Sequence, residues 1–78
     1  MILWEAVPVV NVPVGRFVIP LHDVSPEAVF SADMERTVWA FTRGGDHEPV
    51  WPVDGRHRVL RAWSLGRDSI PTRLLVIP

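Results

Sequence analysis

The stretch EPVWPVDGRHRVLRAWSLGRDSIPTRLLVI, residues 48–77, decides the fold of this chain. It begins with a short apolar segment between Pro49 and Pro52, turns at Asp54-Gly55, and continues into a segment with helical periodicity. A loop over residues 67–71 and an apolar, β-rich run over residues 73–77 follow. Prolines in a strand favour the exposed edge of a sheet, whereas a continuous apolar run favours a buried strand. The stretch therefore predicts an edge strand, a helix and a final buried strand.

The predicted helix covers residues 57–65 and is amphipathic, with Gly66 as its stop. One arc of the helix is apolar and carries Val59, Leu60, Ala62 and Trp63. The opposite arc is polar and carries His57, Arg58, Arg61 and Ser64. We expect the apolar arc to pack and the polar arc to face solvent or a ligand.

The start of this helix has the composition of a phosphate-binding turn. Gly55 lets the backbone bend sharply and a ligand approach, and the first amides of a helix carry partial positive charge without an intrahelical partner. An anion is therefore expected there, bound by Gly55, Arg56, His57, Arg58 and Arg61. An ordinary strand–turn–helix junction with a solvated basic face stays open as the alternative, because short motifs are generic.

Three residues are candidates for catalysis: Asp54, His57 and Glu48. Asp54 is suited to position a metal-bound nucleotide or a water, but it is equally a routine turn or cap residue. His57 is suited to donate to a phosphate or act as a general acid, and a structural hydrogen bond is the alternative. Glu48, with Asp46 and His47, would reach Mg²⁺ or a nucleophile only if their loop folds over the site. No metal site made by the protein alone is predicted.

Charge is distributed unevenly along the chain. Residues 1–54 hold three Arg and eight acidic residues, whereas residues 55–78 hold five Arg and Asp68 alone, within a net charge of −1. The basic end coincides with the glycine turn, and the planar fork of Arg matches phosphate oxygens. The absence of Lys by itself is better explained by a GC-rich genome.

The N-terminal half is expected to supply one or two strands and further helix. Residues 7–21 are rich in valine and proline and predict short strands around a turn at Gly15. Ser25-Pro26-Glu27 predicts a helix start. A helical pattern then continues to Gly44-Gly45, with Ser31 as the alternative start of a second helix, on the spacing of Met34, Val38 and Phe41.

Length and composition predict a single small α+β domain over residues 1–78, with a small mixed sheet and two to three helices. The 78 residues are 47% apolar. Because a chain of this length buries a small core, its stability is expected to be low and to come from packing or self-association. No cysteine is present, which excludes disulfides and thiol chemistry. Charges and prolines interrupt the first 21 residues, so neither a membrane span nor a signal peptide is expected. We therefore expect a soluble, cytoplasmic protein.

Taken together, residues 48–77 resemble the core of the ParB/sulfiredoxin superfamily. That family shows a proline-bounded apolar strand, a Gly-x-x-Arg or Gly-x-His-Arg motif opening a helix, Leu-Gly, a short loop, Ile-Pro and a final strand. The positions in register are Pro49, Val50, Asp54, Gly55, His57, Arg58, Ala62, Leu65, Gly66, Ile70 and Pro71. The resemblance implies a stand-alone ParB-like N-terminal or nuclease-type domain.

The resemblance also implies that Gly55 to Arg58 cradle nucleotide phosphates. Gly-Glu-Arg-Arg does so in CTP-binding partition proteins, and Gly-Cys-His-Arg does so in sulfiredoxins, which use ATP. Arg56 stands where sulfiredoxins have their catalytic cysteine, so sulfinic acid repair is excluded. It also stands where partition proteins have a glutamate, which puts CTP hydrolysis in their manner in doubt. The length leaves no room for their DNA-reading and dimerisation domains, so sequence-specific DNA binding is not expected to carry over.

Three functions follow as hypotheses. The first is a nucleotide-binding module that takes a nucleoside triphosphate with Mg²⁺, as a weak NTPase or a nucleotide-gated switch. The second is a phosphodiesterase, nuclease or phosphotransferase that uses Asp54 or Glu48. The third is a ligand-free interaction subunit, such as a phage or plasmid accessory protein, marked by exposed apolar surface at Trp4, Trp39 or Trp51. Besides a nucleotide, the expected partners are nucleic acid, a DNA-associated protein or a second copy of the chain.

Overall fold

The computed structural model describes residues 2–78, which form a four-stranded mixed sheet and two α-helices. In chain order the elements are β1 (Val9–Pro13), α1 (Pro26–Phe30), β2 (Val38–Thr42), β3 (Trp51–Asp54), α2 (Arg56–Ser64) and β4 (Ser69–Val76). Short 3-10 turns lie at Trp4–Ala6, Val14–Arg16 and Leu21–Asp23. The predicted α+β class with a small mixed sheet is confirmed. Within residues 2–78 no helix has the length and apolar character needed to span a bilayer.

The strands lie in the order β1-β4-β2-β3. β4 pairs antiparallel with β1 and parallel with β2, and β2 pairs antiparallel with β3. Parallel neighbours need a long crossover, and the connection from β2 to β4 supplies it through β3 and α2. β3 is an edge strand, as the prolines at 49 and 52 predicted, and β1, which ends at Pro13, is the other edge.

The core lies between one face of the sheet and α2. It is built from small and β-branched residues: Val12, Val14, Val38, Ala40, Val50, Val59, Ala62 and Ile70. The amphipathic helix predicted near residues 57–65 is confirmed, since α2 contributes Val59 and Ala62 to this core. Two positions on the helix differ from the prediction. Arg58 is only 6% exposed, whereas Trp63 is 69% exposed.

The helix predicted between Met34 and Gly44 is wrong, because residues 38–42 form β2. β2 lies between β4 and β3, and both of its faces carry apolar side chains. Val38, Ala40 and Thr42 are buried and alternate with Trp39 and Phe41, which gives the period of two that a strand requires. A strand that is apolar on both faces does not show this alternation in hydropathy, and the spacing of its large residues then fits a helix as well.

Two smaller differences concern the ends of strands. After β1 the expected second strand is reduced to one parallel bridge, Phe17 to Val50, in which Val18 N–H donates to the Val50 carbonyl oxygen. β4 begins at Ser69 rather than at Arg73, because its first residues pair with β1, where Ile70 lies opposite Val12.

α1 begins where the Ser-Pro-Glu pattern predicted. The Ser25 hydroxyl accepts a hydrogen bond from Ala28 N–H at 3.4 Å and donates to Glu27 Oε2 at 2.9 Å. The Glu27 backbone N–H, and secondarily the Ser25 hydroxyl, hold the pKa of the Glu27 carboxyl below its ordinary value. Ser25 therefore stabilises both the first turn and the charged form of Glu27.

We expect Ser25→Ala to raise the pKa of Glu27 towards its ordinary value without reaching it, because the backbone donor remains. The free energy of unfolding should fall by about 0.5–1 kcal/mol, the usual effect of losing a cap. A pKa lowered by folding stabilises the native state above the ordinary glutamate pKa, and this contribution disappears as pH falls through the lowered value. NMR titration of the Glu27 carboxyl carbon measures the shift. Ser64→Ala, at the end of α2, is the control, and an unchanged Glu27 pKa in Ser25→Ala would contradict the assignment.

Candidate phosphate-binding site

An open cleft of about 280 Å³ lies where the first turn of α2 meets α1 and the segment leading to β2. The cleft contains the whole predicted glycine turn and adds residues from an earlier segment of the chain, between positions 28 and 36. Its lining consists of Ala28, Ala32, Asp33, Arg36, Val53, Asp54, Gly55, Arg56, His57 and Arg58. Ala28 and Ala32 contribute only short side chains to this lining.

Gly55 is the N-cap of α2 and has φ 109° and ψ 20°, in the left-handed region that side chains rarely adopt. No side chain caps this helix start. The first amides of α2 therefore keep their donor capacity for a ligand, and the helix dipole adds partial positive charge at the same place.

The Arg58 side chain lies directly against Gly55. A Cβ atom built at position 55 would come within 2.7 Å of Arg58 Nη2 and 2.8 Å of Nε. Glycine is thus favoured here by its φ angle, and a larger residue would also displace the guanidinium group. Sequence reasoning predicted the first constraint, and the tertiary structure adds the second.

Arg58 is buried and only partly satisfied. Its Nη2 donates to Asp54 Oδ2 at 3.0 Å, whereas its Nε is buried and has no hydrogen-bond partner among residues 2–78. A buried donor attached to a charged group is costly to leave unpaired. An anion in the cleft would bring acceptor oxygens close to this guanidinium.

Asp54 acts as the counter-ion of this arginine. It also lies 4.0 Å from Arg36 Nη2, in a pair that is largely exposed and contributes little stability. For Asp54, a role as the cap residue of α2 is therefore excluded. Its side chain does not cap α2 but holds Arg58 in place.

His57 and Arg56 connect α2 to the segment before α1. Ser25 N–H donates to His57 Nε2 at 3.3 Å, so the structural hydrogen bond considered for His57 is present. Arg56 Nε donates to the Asp23 carbonyl oxygen at 3.1 Å, and its side chain is exposed. Both residues line the cleft, and these bonds fix the position of its rim.

Two predicted site residues lie elsewhere. Glu48 precedes β3 whereas Asp54 ends it, and six residues of extended chain span roughly 20 Å. Glu48 instead stays in the loop after β2, where its carbonyl oxygen accepts from Arg16 Nη2 at 3.0 Å. Arg61 lies one helical turn beyond the cleft, with its guanidinium carbon 5.6 Å from the centroid of the Phe30 ring. The structure therefore does not bring either residue to the start of α2.

Sequence reasoning missed Ala28, Ala32, Asp33 and Arg36 as lining residues. No local sequence pattern indicated that Arg36 would line a cleft, because it lay inside the segment interpreted as helix. Only the reversal of the chain between α1 and β2 places its guanidinium near Asp54. Among residues 2–78, no three His, Asp or Glu side chains come together in a geometry that would hold a metal ion.

Comparison with known proteins gives a relation at the level of the fold. No protein-family model and no curated protein matches the chain. Among solved structures, the crystal structure of sulfiredoxin from Arabidopsis thaliana is similar, with a TM-score of 0.65 and 16% sequence identity. The match covers 90% of this chain and 86% of the sulfiredoxin chain. The protein therefore has a ParB/sulfiredoxin-like fold.

Proposed function

We propose that the cleft at the start of α2 binds the phosphate groups of a nucleotide. The observation that carries this proposal is the buried Arg58 guanidinium, which lines the cleft with one donor unpaired beside the uncapped amides of α2. Arginine and helix-start amides are the two donor types that proteins most often use for phosphate.

The charges around the cleft favour an anion. Arg36, Arg56 and Arg58 line it together with Asp33 and Asp54, and the helix dipole adds to the positive side. Because Asp54 is held by Arg58, the charge most available to a ligand comes from Arg36 and Arg56, which are exposed. The cleft is open on one side, so a base and a sugar can extend from the bound phosphates into solvent.

Binding is better supported than hydrolysis. General-base chemistry needs a carboxylate that is free to accept a proton near the phosphate. The carboxylate next to Gly55 is instead engaged with a buried guanidinium, and Glu48 lies at the other end of β3. We accordingly propose a nucleotide-binding module, with Mg²⁺ arriving on the nucleotide, rather than a nuclease or phosphotransferase.

Isothermal titration calorimetry with CTP, ATP and ADP, each with Mg²⁺, tests the proposal directly. We expect saturable binding of at least one nucleotide, weakened by added salt because exposed arginines contribute. Inorganic phosphate and pyrophosphate are the controls that separate phosphate binding from recognition of the base. Phosphate release measured in the same samples should stay at background. No binding heat and no rise in melting temperature with any of these compounds would overturn the proposal.

A further inference from the structure

Residues 20–33 run along one side of the phosphate cleft without entering the core, and we call them the strap. Every residue of the strap is exposed or half-buried, and α1, which lies within it, has no buried residue. Ile19 before the strap and Met34 after it pack against the core. Segments with few buried apolar contacts open locally at a low cost in free energy. The strap is therefore anchored at its two ends and depends on polar contacts between them.

Two hydrogen bonds join the strap to the first turn of α2. Arg56 Nε donates to the Asp23 carbonyl oxygen at 3.1 Å, and Ser25 N–H donates to His57 Nε2 at 3.3 Å. Among residues 2–78, no other hydrogen bond connects the strap to α2 or to a strand. These two bonds hold the middle of the strap against the rim of the cleft.

The bond from Ser25 to His57 requires a neutral imidazole ring. Nε2 accepts a hydrogen bond only when it carries no hydrogen, so the single ring proton must be on Nδ1. The protonated ring carries hydrogen on both nitrogens and accepts from neither of them. Protonation of His57 therefore removes this bond and sets two N–H groups, those of Ser25 and of Nε2, against each other.

We propose that protonation of His57 releases the strap from α2, so that His57 is a proton-sensitive latch on the phosphate cleft. Release withdraws Ala28, Ala32 and Asp33 from the lining of the cleft. It removes the Asp33 carboxylate from the site, and the imidazolium adds a cation there. The cleft is then wider and attracts anions more strongly at acidic pH. This consequence for binding rests on the proposed function, whereas the release itself needs no ligand.

Charged groups of both signs belong to the elements around His57. They are Arg56, Arg58 and Arg61 on α2, Arg36 before β2, Asp54 at the end of β3, and Asp23, Glu27 and Asp33 on the strap. Carboxyl groups ordinarily titrate near roughly pH 4 and guanidinium groups above about pH 12, so a transition between about pH 5 and 8 indicates a histidine. The strap also carries His22, whose Nε2 lies 3.5 Å from Asp23 Oδ1, so the two histidines are separated by mutation.

Amide hydrogen exchange measured by NMR between about pH 5 and 8 tests the latch in ligand-free protein. The informative amides are those of Val29 and Ser31, which donate to the carbonyl oxygens of Ser25 and Glu27. Their protection factors, which correct for the intrinsic effect of pH on exchange, should fall about fivefold on acidification, as expected for the loss of one hydrogen bond. The protection factor of the Val59 amide in α2 should stay constant.

Two histidine variants assign the transition. His57→Gln keeps an uncharged acceptor that does not titrate, so its strap should stay protected at every pH. His22→Gln is the matched control and should keep the pH dependence of the wild type. Circular dichroism establishes that both are folded. If His57→Gln does not fold, the wild-type Ser25 amide shift replaces it and should change with the same midpoint as the His57 imidazole resonances.

Strap protection that is independent of pH in the wild type would overturn the latch. A pH dependence that persists in folded His57→Gln, or that disappears in His22→Gln, would overturn it too, as would different midpoints for the Ser25 amide and the His57 ring. Because no ligand is present, these outcomes are independent of whether the cleft binds a nucleotide. With pyrophosphate added, the affinity should rise on acidification more in the wild type than in His57→Gln.

Discussion

Gly55→Ala is expected to lower the free energy of unfolding by about 2–3 kcal/mol, through two additive causes. The backbone at position 55 has φ 109°, which alanine adopts only under strain. The new Cβ would also come within 2.7 Å of Arg58 Nη2, so the guanidinium, which is paired with Asp54, must shift. Urea denaturation measures the change, and the same variant should bind nucleotide more weakly because Arg58 is displaced.

Two other glycines separate these causes. Gly66 has φ 76° but no heavy atom within 4 Å of a built Cβ, so Gly66→Ala should show only the backbone strain, about 1 kcal/mol. Gly15 has neither a positive φ nor a close neighbour, and Gly15→Ala should change stability by less than about 0.5 kcal/mol. If Gly55→Ala cost no more than Gly66→Ala, the contact between Gly55 and Arg58 would have no energetic weight.

Arg58→Ala is expected to weaken nucleotide binding by a factor of roughly 10 to 150, which corresponds to about 1.5–3 kcal/mol for a charge-assisted hydrogen bond. The reason is that Arg58 is the buried cation of the cleft and is held there by Asp54. Calorimetric titration with the nucleotide that binds wild-type protein measures the loss. Arg58→Met keeps most of the apolar stem, so a loss of binding in that variant identifies the guanidinium rather than packing as the cause.

Arg61→Ala is the matched control for Arg58. It removes the same charge from the same helix, but the Arg61 guanidinium packs over Phe30 instead of lining the cleft. Its effect on binding should be at most about threefold, through long-range charge alone. Equal losses in Arg58→Ala and Arg61→Ala would show that the helix acts through its overall charge, and the specific role of Arg58 would then be wrong.

The prediction of the glycine turn and of α2 needed only local chemistry. Proline-bounded β3, the bend at Gly55 and the amphipathic helix after it all depend on residues close in sequence, so their spacing identified them. The same holds for the start of α1 at Ser25-Pro26. The expectation that anion donors gather at Gly55 to Arg58 came from these local patterns and remains a prediction for experiment.

β2 shows where local patterns fail. The spacing of its large apolar residues fits a helix, but the segment forms a strand because it hydrogen-bonds with two neighbouring strands. No residue within the segment indicates that these partners exist. Because the segment before β2 was predicted to be helical, Arg36 was not predicted to line the cleft. Its position there depends on how the chain turns back between α1 and β2.

By itself, the sequence determined the fold class, the turn at Gly55 and which cationic side chains stand near a helix start, because these follow from backbone preference and periodicity. Only the tertiary structure decided that Arg58 is buried against Gly55 and paired with Asp54, and that Glu48 and Arg61 lie away from the cleft. These are contacts between elements, and burial and charge pairing depend on the packing of the whole chain rather than on any single segment.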